Sequence, residues 1–265
     1  MSEKLNKKHP RYDSLSARYS LEDAQKNGLL AGTAMIAHGR GEAFDYLIGE
    51  QSISSALNAT RYAAKLLSSA SKPIISVNGN TAVLCGDYLI RCAAIIGCAI
   101  EINIFYRTNE RITQLTNFLK NKKKEIAKEN INIENWAKKV EGVKILGENA
   151  KCKILNLEGP RSNCCCEGIY DSDVIFVPLE DGDRCEALVQ MGKCVIVVDL
   201  NPLSRSAQMA NVTIVDDIAR VGKNLFESLL SQNDLQDIGP WNNIENINES
   251  LRWINERLIQ LANEK

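Results

Sequence analysis

The sequence predicts an α/β protein: a doubly wound, mostly parallel sheet with helices on both faces and a helix at the C-terminus. Three observations predict it. The runs Asp173-Val-Ile-Phe-Val177 and Cys194-Val-Ile-Val-Val-Asp199 are apolar and β-branched, the pattern of strands buried on both faces. Strand, loop and helix recur at least four times, as alternating α/β folds require. Each strand runs into a loop crowded with acidic, basic and amide side chains, and the crevice beyond the carboxyl ends of such strands is where ligands bind. Two such loops between Asp173 and Ile218 point to a polar, phosphorylated ligand.

The totals fit one α/β domain spanning 1–265. With 265 residues, 45% of them hydrophobic, the chain can bury a sizeable core. A net charge of −1 argues against a nucleic-acid surface, which carries a basic excess. No apolar run reaches the roughly 18 residues of a membrane span. The start, Met-Ser-Glu-Lys-Leu-Asn-Lys-Lys, lacks a signal-peptide core, so a cytoplasmic protein is expected. Nine cysteines, with Cys85, Cys92, Cys98 and Cys194 inside apolar patterns, predict reduced, buried thiols and not a disulfide framework.

In order, residues from about 1 to 35 form an N-terminal helical segment, with a helix starting near Ser20 at Ser-Leu-Glu-Asp. Helical spacing resumes over Ser54–Ala70, with Leu57, Ala64 and Leu67 on one face. Pro73–Val77 is a short buried strand, and a helix runs from Asn78-Gly-Asn-Thr81 to about Ile96. Ala99–Phe105 is the next strand, after which Tyr106-Arg-Thr-Asn109 opens another helix. Short strands are expected at Val143–Leu146, Lys153–Leu157 and Val212–Val215. The stretch from about 120 to 139 is basic and acidic with few apolar residues, which reads as a solvated helix. From about 243 to 263, Ile247, Leu251, Ile254, Leu258 and Leu261 recur near helical spacing. This helix packs on its own sheet or on a second subunit; spacing leaves both open.

Chemistry-bearing residues gather in these loops. In Ile36–Glu50, Gly39 and Gly41 flank Arg40. Such glycines let backbone amides face an anion at a helix start, and Arg40 offers a planar fork to phosphate or carboxylate. A glycine turn with a surface arginine is the plainer reading. No Gly-x-Gly-x-x-Gly or Walker-type motif occurs, which weakens dinucleotide and P-loop readings. His38 is a candidate general base, with an ordinary pKa of about 6.5, or a hydrogen-bonded structural histidine. Asn78, Asn80 and Thr81 offer amides and a hydroxyl to a ligand, or cap a helix; Asn103, Tyr106 and Arg107 repeat the arrangement one strand on. In Asp181-Gly182-Asp183-Arg184, with Glu186, carboxylates can hold magnesium through water while Arg184 meets phosphate. An acidic first turn on the helix dipole is the alternative. Asp199 closes the next strand, where an acidic residue accepts from ribose hydroxyls; Asn201, Ser204 and Arg205 follow, a turn with ordinary capping being the plainer account. Cys164-Cys165-Cys166, with Cys152 and Cys185, does not show the paired spacing of zinc sites.

With these loops assembled, the chain resembles archaeal phosphopantothenate synthetases, the 4-phosphopantoate–β-alanine ligases of coenzyme A biosynthesis. The resemblance rests on His9-Pro-Arg-Tyr12, Ile36–Glu50, Ile75–Thr81 and Asn103–Thr108. It is strongest through Val177–Arg184, Glu186-Ala-Leu188 and Asp199–Ala210, and covers most of residues 9–220. It implies a Rossmann-like core, a homodimer, and an ATP- and Mg2+-dependent ligase. The implied reaction joins 4-phosphopantoate to β-alanine, giving 4′-phosphopantothenate, AMP and pyrophosphate through an acyl-adenylate. Carried onto matching positions, ATP is expected at Arg18, Arg40, Asp181, Gly182, Asp183, Arg184, Glu186, Asp199, Leu200 and Asn201. The phosphopantoate end is expected at Asn78, Asn80, Tyr106, Arg107 and Arg205. Arg40, His38 and Asp183 are the expected catalytic residues. No metal ligand is singled out, magnesium being expected through water or phosphate. Cys185 departs from the family's small hydroxyl residue, which puts one nucleotide contact in doubt; the charged stretch and the cysteine triplet also depart.

Two other classes compete. A non-catalytic ATP-binding sensor on the same fold needs fewer charges around its ligand than these loops carry. An NAD-dependent oxidoreductase lacks its glycine fingerprint here.

Overall fold

The computed structural model describes residues 5–231, 235 and 238–264; residues 1–4, which belong to the expected N-terminal segment, lie outside them. Helices α1 (Tyr12–Lys26), α2 (Thr33–Ile48) and α3 (Ser54–Ser69) precede the first strand, β1 (Pro73–Val77). Then follow α4 (Gly79–Ile96), β2 (Ala99–Ile102), α5 (Asn109–Ile126), α6 (Trp136–Gly142) and β3 (Ile145–Leu146). A small antiparallel hairpin, β4 (Cys152–Lys153) and β5 (Asn163–Cys164), stands outside the main sheet. The second half runs β6 (Val174–Phe176), α7 (Gly182–Gln190), β7 (Cys194–Val198), α8 (Arg205–Met209), β8 (Val212–Ile214), α9 (Ile218–Leu230) and α10 (Asn243–Asn263).

The six strands of the main sheet lie in the order β3-β2-β1-β6-β7-β8, and every adjacent pair is parallel. This is the Rossmann-like, doubly wound arrangement that the sequence predicts. Alternation along each strand divides the core. Ile75, Val77, Ile100, Ile102, Phe176, Ile196 and Val198 face the α3, α4, α5 and α9 side. Ile74, Ile175, Val177, Val195 and Val197 face α7 and the hairpin. Strands buried on both faces must be apolar throughout, which is why the two runs are legible.

Several expected elements shift. The first helix begins at Tyr12, not near Ser20; Ser20 sits inside it and its hydroxyl donates to the Ser16 carbonyl at 2.9 Å, a back-bond that a helix tolerates. The glycines at 39 and 41 lie within α2 and not at its start, so their amides belong to the helix. Gly41 is small for another reason: a Cβ there would stand 3.3 Å from Leu200 Cδ1.

The 120–139 stretch is no single solvated helix. It is divided between α5, a turn and α6, and Ile126, Trp136 and Val140 are buried. The Trp136 indole N–H donates to the Ile126 carbonyl at 3.0 Å, satisfying an orphan acceptor at the helix end. The strand from Ala99 stops at Ile102 because the Asn103 side chain turns aside to the hairpin. The expected strand 153–157 reduces to the outlying β4.

The cysteines need a partial correction. Seven are free and six of those are buried, but Cys152 and Cys166 form a disulfide. At α10, Asn246, Ile247 and Ser250 are buried, while Ile244, Trp253, Leu258, Ile259 and Leu261 are exposed. The helix docks against α2, α3 and β8, and its second half still holds the end of α2, where the Trp253 indole N–H donates to the Ile48 carbonyl at 3.1 Å.

Candidate functional site

The strand order reverses between β1 and β6, and the loops leaving these two strands define the switch point of the sheet. Asn78 ties them together. Its Oδ1 accepts from the Thr81 N–H at 3.0 Å, capping α4, while its Nδ2 donates to the Leu179 carbonyl at 2.9 Å. Capping and a structural cross-link both hold, so one side chain fulfils two roles. Asn80 is buried; its Nδ2 donates to Ala34 O at 2.9 Å, and its Oδ1 has no partner among the described residues. A buried acceptor left open beside a helix start is a place for a ligand's hydroxyl or amine.

At the end of β6 the charge is interior. The side chains of Glu180 and Arg184 are each only 1% exposed and pair with one another, and Arg184 Nη2 donates to Ser76 Oγ of β1 at 3.1 Å. Arg161, from the hairpin, meets Glu180 Oε1 at 2.6 Å and also pairs with Asp181. Asp181 caps α7 by accepting from Arg184 N–H at 2.8 Å. Burial pushes the Asp181 carboxyl up, but the Arg161 guanidinium and the capped N–H outweigh it, and the net shift is downward. Nearby, Glu101 is fully buried; burial raises its pKa despite hydrogen bonds at 2.8 Å from the Cys165 and Ile169 N–H groups.

At the next strand end Asp199 organises a turn. It accepts from Asn201 N–H and from the Ser206 hydroxyl, each at 2.9 Å, and from Ser204. Arg205, at the start of α8, pairs with both Asp183 and Glu186 on α7 and lies over Gly182, where a Cβ would meet its own Cβ at 2.6 Å. Helix α2 closes this side through Gly41 against Leu200. His38, three residues before Gly41 and so near the same helix face, has a buried Nε2 without a partner among the described residues. Arg40 is exposed and makes no ion pair among the described residues. Glu42 accepts from Ser14 at 2.6 Å and from Arg18 at 3.0 and 3.1 Å. Burial raises the Glu42 carboxyl, these hydrogen bonds lower it, and the lowering prevails.

The β2 end faces the hairpin. Asn103 Nδ2 donates to the carbonyls of Asn163 and Arg161, at 3.0 and 3.2 Å. Tyr106 is exposed, and Arg107 donates to the Gly147 carbonyl. Arg107 also lines an open cleft of about 650 Å³ with Lys153, Leu157, Glu158, Gly159, Pro160, Ser162 and Asn163.

The structure thus gathers Asn78, Asp181 and Arg184 at the switch point, and Asp183, Glu186, Arg205 and Gly182 between α7 and α8. Asp199, Leu200 and Asn201 share their turn, with α2 against it. Arg107 stands apart in the cleft. Some expectations need correction. Arg184 lies beneath the loop, its side chain 1% exposed and paired with Glu180, so the charge expected for a ligand is turned to the interior and holds the loop. Arg18 is engaged by Glu42, and Arg205 sides with α7 carboxylates and not with the β2 end. Cys185 is buried and its thiol faces the Ser206 carbonyl at 3.6 Å. In the triplet, Cys166 is disulfide-bonded, and burial with the Glu101 charge pushes Cys164 up to about 12 and Cys165 up to about 11. No group of three His, Cys, Asp or Glu side chains that could hold a metal ion occurs among the described residues. Sequence reasoning missed Arg161, Lys153, Ser162 and Asn163. The Gly159-Pro160 turn before Arg161 was the available signal.

Comparison with known proteins matches residues 55–257 to the family described as phosphopantothenate/pantothenate synthetase. A protein of Thermococcus kodakarensis named 4-phosphopantoate–beta-alanine ligase is 42% identical over 266 residues, covering 98% of this chain and 95% of its own. Proteins of the same name from Methanosarcina mazei (40% identical, 97% of this chain, 96% of its own) and Methanospirillum hungatei (38%, 96% and 97%) agree. Likeness of this extent covers every strand-end loop described above, and the chain belongs to the phosphopantothenate/pantothenate synthetase family.

Proposed function

We propose that the protein is a carbon–nitrogen ligase that condenses 4-phosphopantoate with β-alanine at the expense of ATP, forming 4′-phosphopantothenate, AMP and pyrophosphate. The observation that carries this reading is a coincidence. Relatives named for that ligation align over nearly the whole chain, and polar side chains tie the loops on either side of the sheet's switch point. A carboxylate is a poor electrophile. Its oxygen attacks the α-phosphorus of ATP, the bond to the β-phosphate oxygen breaks, and pyrophosphate leaves. The β-alanine amine then attacks the acyl carbon, and AMP leaves.

The residues divide the work by chemistry. The N-termini of α4 and α7 present N–H groups to anions, and Arg40, exposed and without an ion pair among the described residues, suits the charge that develops on phosphorus. Asp199 and Asn201 lie where a nucleoside sugar binds in such folds. Arg107, with Lys153, suits the phosphate of the acid, and the open Asn80 acceptor suits a hydroxyl or amine. Magnesium, when bound, neutralises phosphate charge; the carboxylates at this edge are already engaged by arginines or N–H groups, so phosphate and water would hold it, with Asp183 the most exposed donor. The ammonium of β-alanine must lose a proton before attack. Glu42 is held charged by Arg18 and Ser14 and is a weak base, whereas His38 keeps an unpartnered ring nitrogen; His38 is the better acceptor. Helix α10 and its exposed apolar second half supply a face for a homodimer. No helix among the described residues is long and apolar enough to cross a membrane, which suits a cytoplasmic enzyme.

The test is nucleotide release. AMP and pyrophosphate should form only with 4-phosphopantoate present, and β-alanine should complete turnover. ADP and phosphate as products would overturn the adenylate mechanism, and saturable ATP binding without substrate-dependent turnover would favour a sensor.

A further inference from the structure

Arg161 is held at the switch point from three directions. Its guanidinium joins Glu180 and Asp181 at the end of β6, lies 6.0 Å from the centre of the Phe105 ring, and its carbonyl accepts from Asn103. The residue belongs to the hairpin between β4 and β5, far in sequence from the acidic pair that it meets. Charge accounting shows what it is for. Glu180 is already neutralised by Arg184 in the interior. Asp181 pairs with no second cation among the described residues, and its side chain is 42% exposed at the start of α7. Without Arg161, a net negative charge would stand beside the two helix starts offered to anionic substrates.

We propose that Arg161 is a positioning residue of the ligase site, neutralising and orienting Asp181 so that the α7 N-terminus accepts phosphate-bearing substrates. The inference rests on the ligase reading above. Arg161 acts through Asp181; it does not touch substrate. The downward shift of the Asp181 carboxyl fits this pairing.

The experiment separates lost charge balance from lost packing. Binding of ATP and of inorganic pyrophosphate is measured by calorimetry on the full chain, beside steady-state kinetics, for wild type, Arg161→Met, Arg161→Lys, Asp181→Asn and the Arg161→Met/Asp181→Asn pair. Asn caps helices as well as Asp does, so Asp181→Asn removes the charge and keeps the cap. Arg161→Met should weaken both anions about tenfold or more, with the KM for zwitterionic β-alanine within about twofold, because like charges repel and the effect falls with salt. Arg161→Lys should lie within about threefold of wild type. In the pair, anion affinity should return to within about threefold of Asp181→Asn alone. If all KM values rise together, or the pair is no better than Arg161→Met, the proposal is overturned. Should Arg161→Met not fold, the decision passes to Arg161→Lys: a loss of anion affinity as large as tenfold with charge retained overturns it. Wild type that binds neither anion overturns it as well. Wild type showing the binding pattern without β-alanine-dependent product overturns the ligase reading and leaves the role of Arg161 standing.

Discussion

Arg40 and Cys185 mark opposite ends of what a single residue reveals. Arg40 is exposed on α2 and without an ion pair among the described residues, so its charge is available to a substrate. Arg40→Ala is expected to slow phosphopantoate-dependent pyrophosphate release by on the order of 100-fold, as loss of a transition-state charge partner does; activity within about threefold of wild type removes Arg40 from the site. Cys185 is buried, its thiol pushed up to about 12 by burial and by the Glu180 charge. Cys185→Ser is therefore expected to leave the KM for ATP within about twofold, and the wild-type thiol should resist alkylation at pH 8. Asp173 carries a pH signature. Burial raises its carboxyl, but N–H groups of Lys72, Ser71 and Val174 lower it further, to a net shift below 3.8. Because the native pKa is depressed, its contribution is present above pH 3.8 and is lost as pH falls toward the native value. Asp173→Asn should reduce stability at pH 7 by about 1 kcal/mol, the hydrogen bonds being partly screened by solvent, with wild type and variant converging in denaturant titrations as pH falls below 3.8.

At the scale of elements, the hairpin from Cys152 to Cys166 is the clearest case of tertiary function without a sequence signal. It carries Arg161 and most of the cleft wall, and the disulfide joins its ends across 14 positions. Closing a loop of this size restricts the unfolded chain by about 3 kcal/mol. Reduction with dithiothreitol should lower the thermal midpoint by several degrees, and a Cys152→Ser/Cys166→Ser variant should show no dependence on reductant; equal midpoints for oxidised and reduced wild type would show that the hairpin is held by Asn103 and Arg161 alone. The contact between α7 and α8 gives a second case. A Cβ on Gly182 would meet the Arg205 Cβ at 2.6 Å. Gly182→Ala should destabilise by about 1–3 kcal/mol through overpacking, with loss of the Arg205 pairs to Asp183 and Glu186. Unchanged denaturation midpoints would show that α8 can shift freely.

For the molecule as a whole, the fold was legible to the extent that burial is two-sided. Strands β1, β6 and β7 are apolar runs that neither solvent-facing alternation nor a long helix could produce, and they were placed within a residue or two. Edge strand β8 was placed as closely and β3 lies within its expected range; the hairpin strands were not, since two residues carry no period and pairing alone defines β4 and β5. The N-terminal layer was misread for a related reason. Gly39 and Gly41 argue locally against helix, by about 1 kcal/mol each, and packing of α2 against α1, α4 and α10 overrides them. The candidate site was legible loop by loop, because polar strand ends on a parallel sheet must share one edge. Which charges face a ligand was not legible, since Arg184 and Arg40 read alike in sequence.

The sequence alone determined the doubly wound sheet, the polar edge, the closing helix and, through its long motifs, the family. Periodicity and local motif chemistry reach that far because each depends on neighbours within a few positions. Tertiary structure alone decided that Arg184 lies beneath the site and that Arg161 completes it from a hairpin about 20 residues before Asp181, within reach only once the parallel crossover is closed. It also decided which two of nine cysteines are bonded. Burial, pairing and free charge are properties of contacts between distant segments, and those contacts exist only in the folded chain.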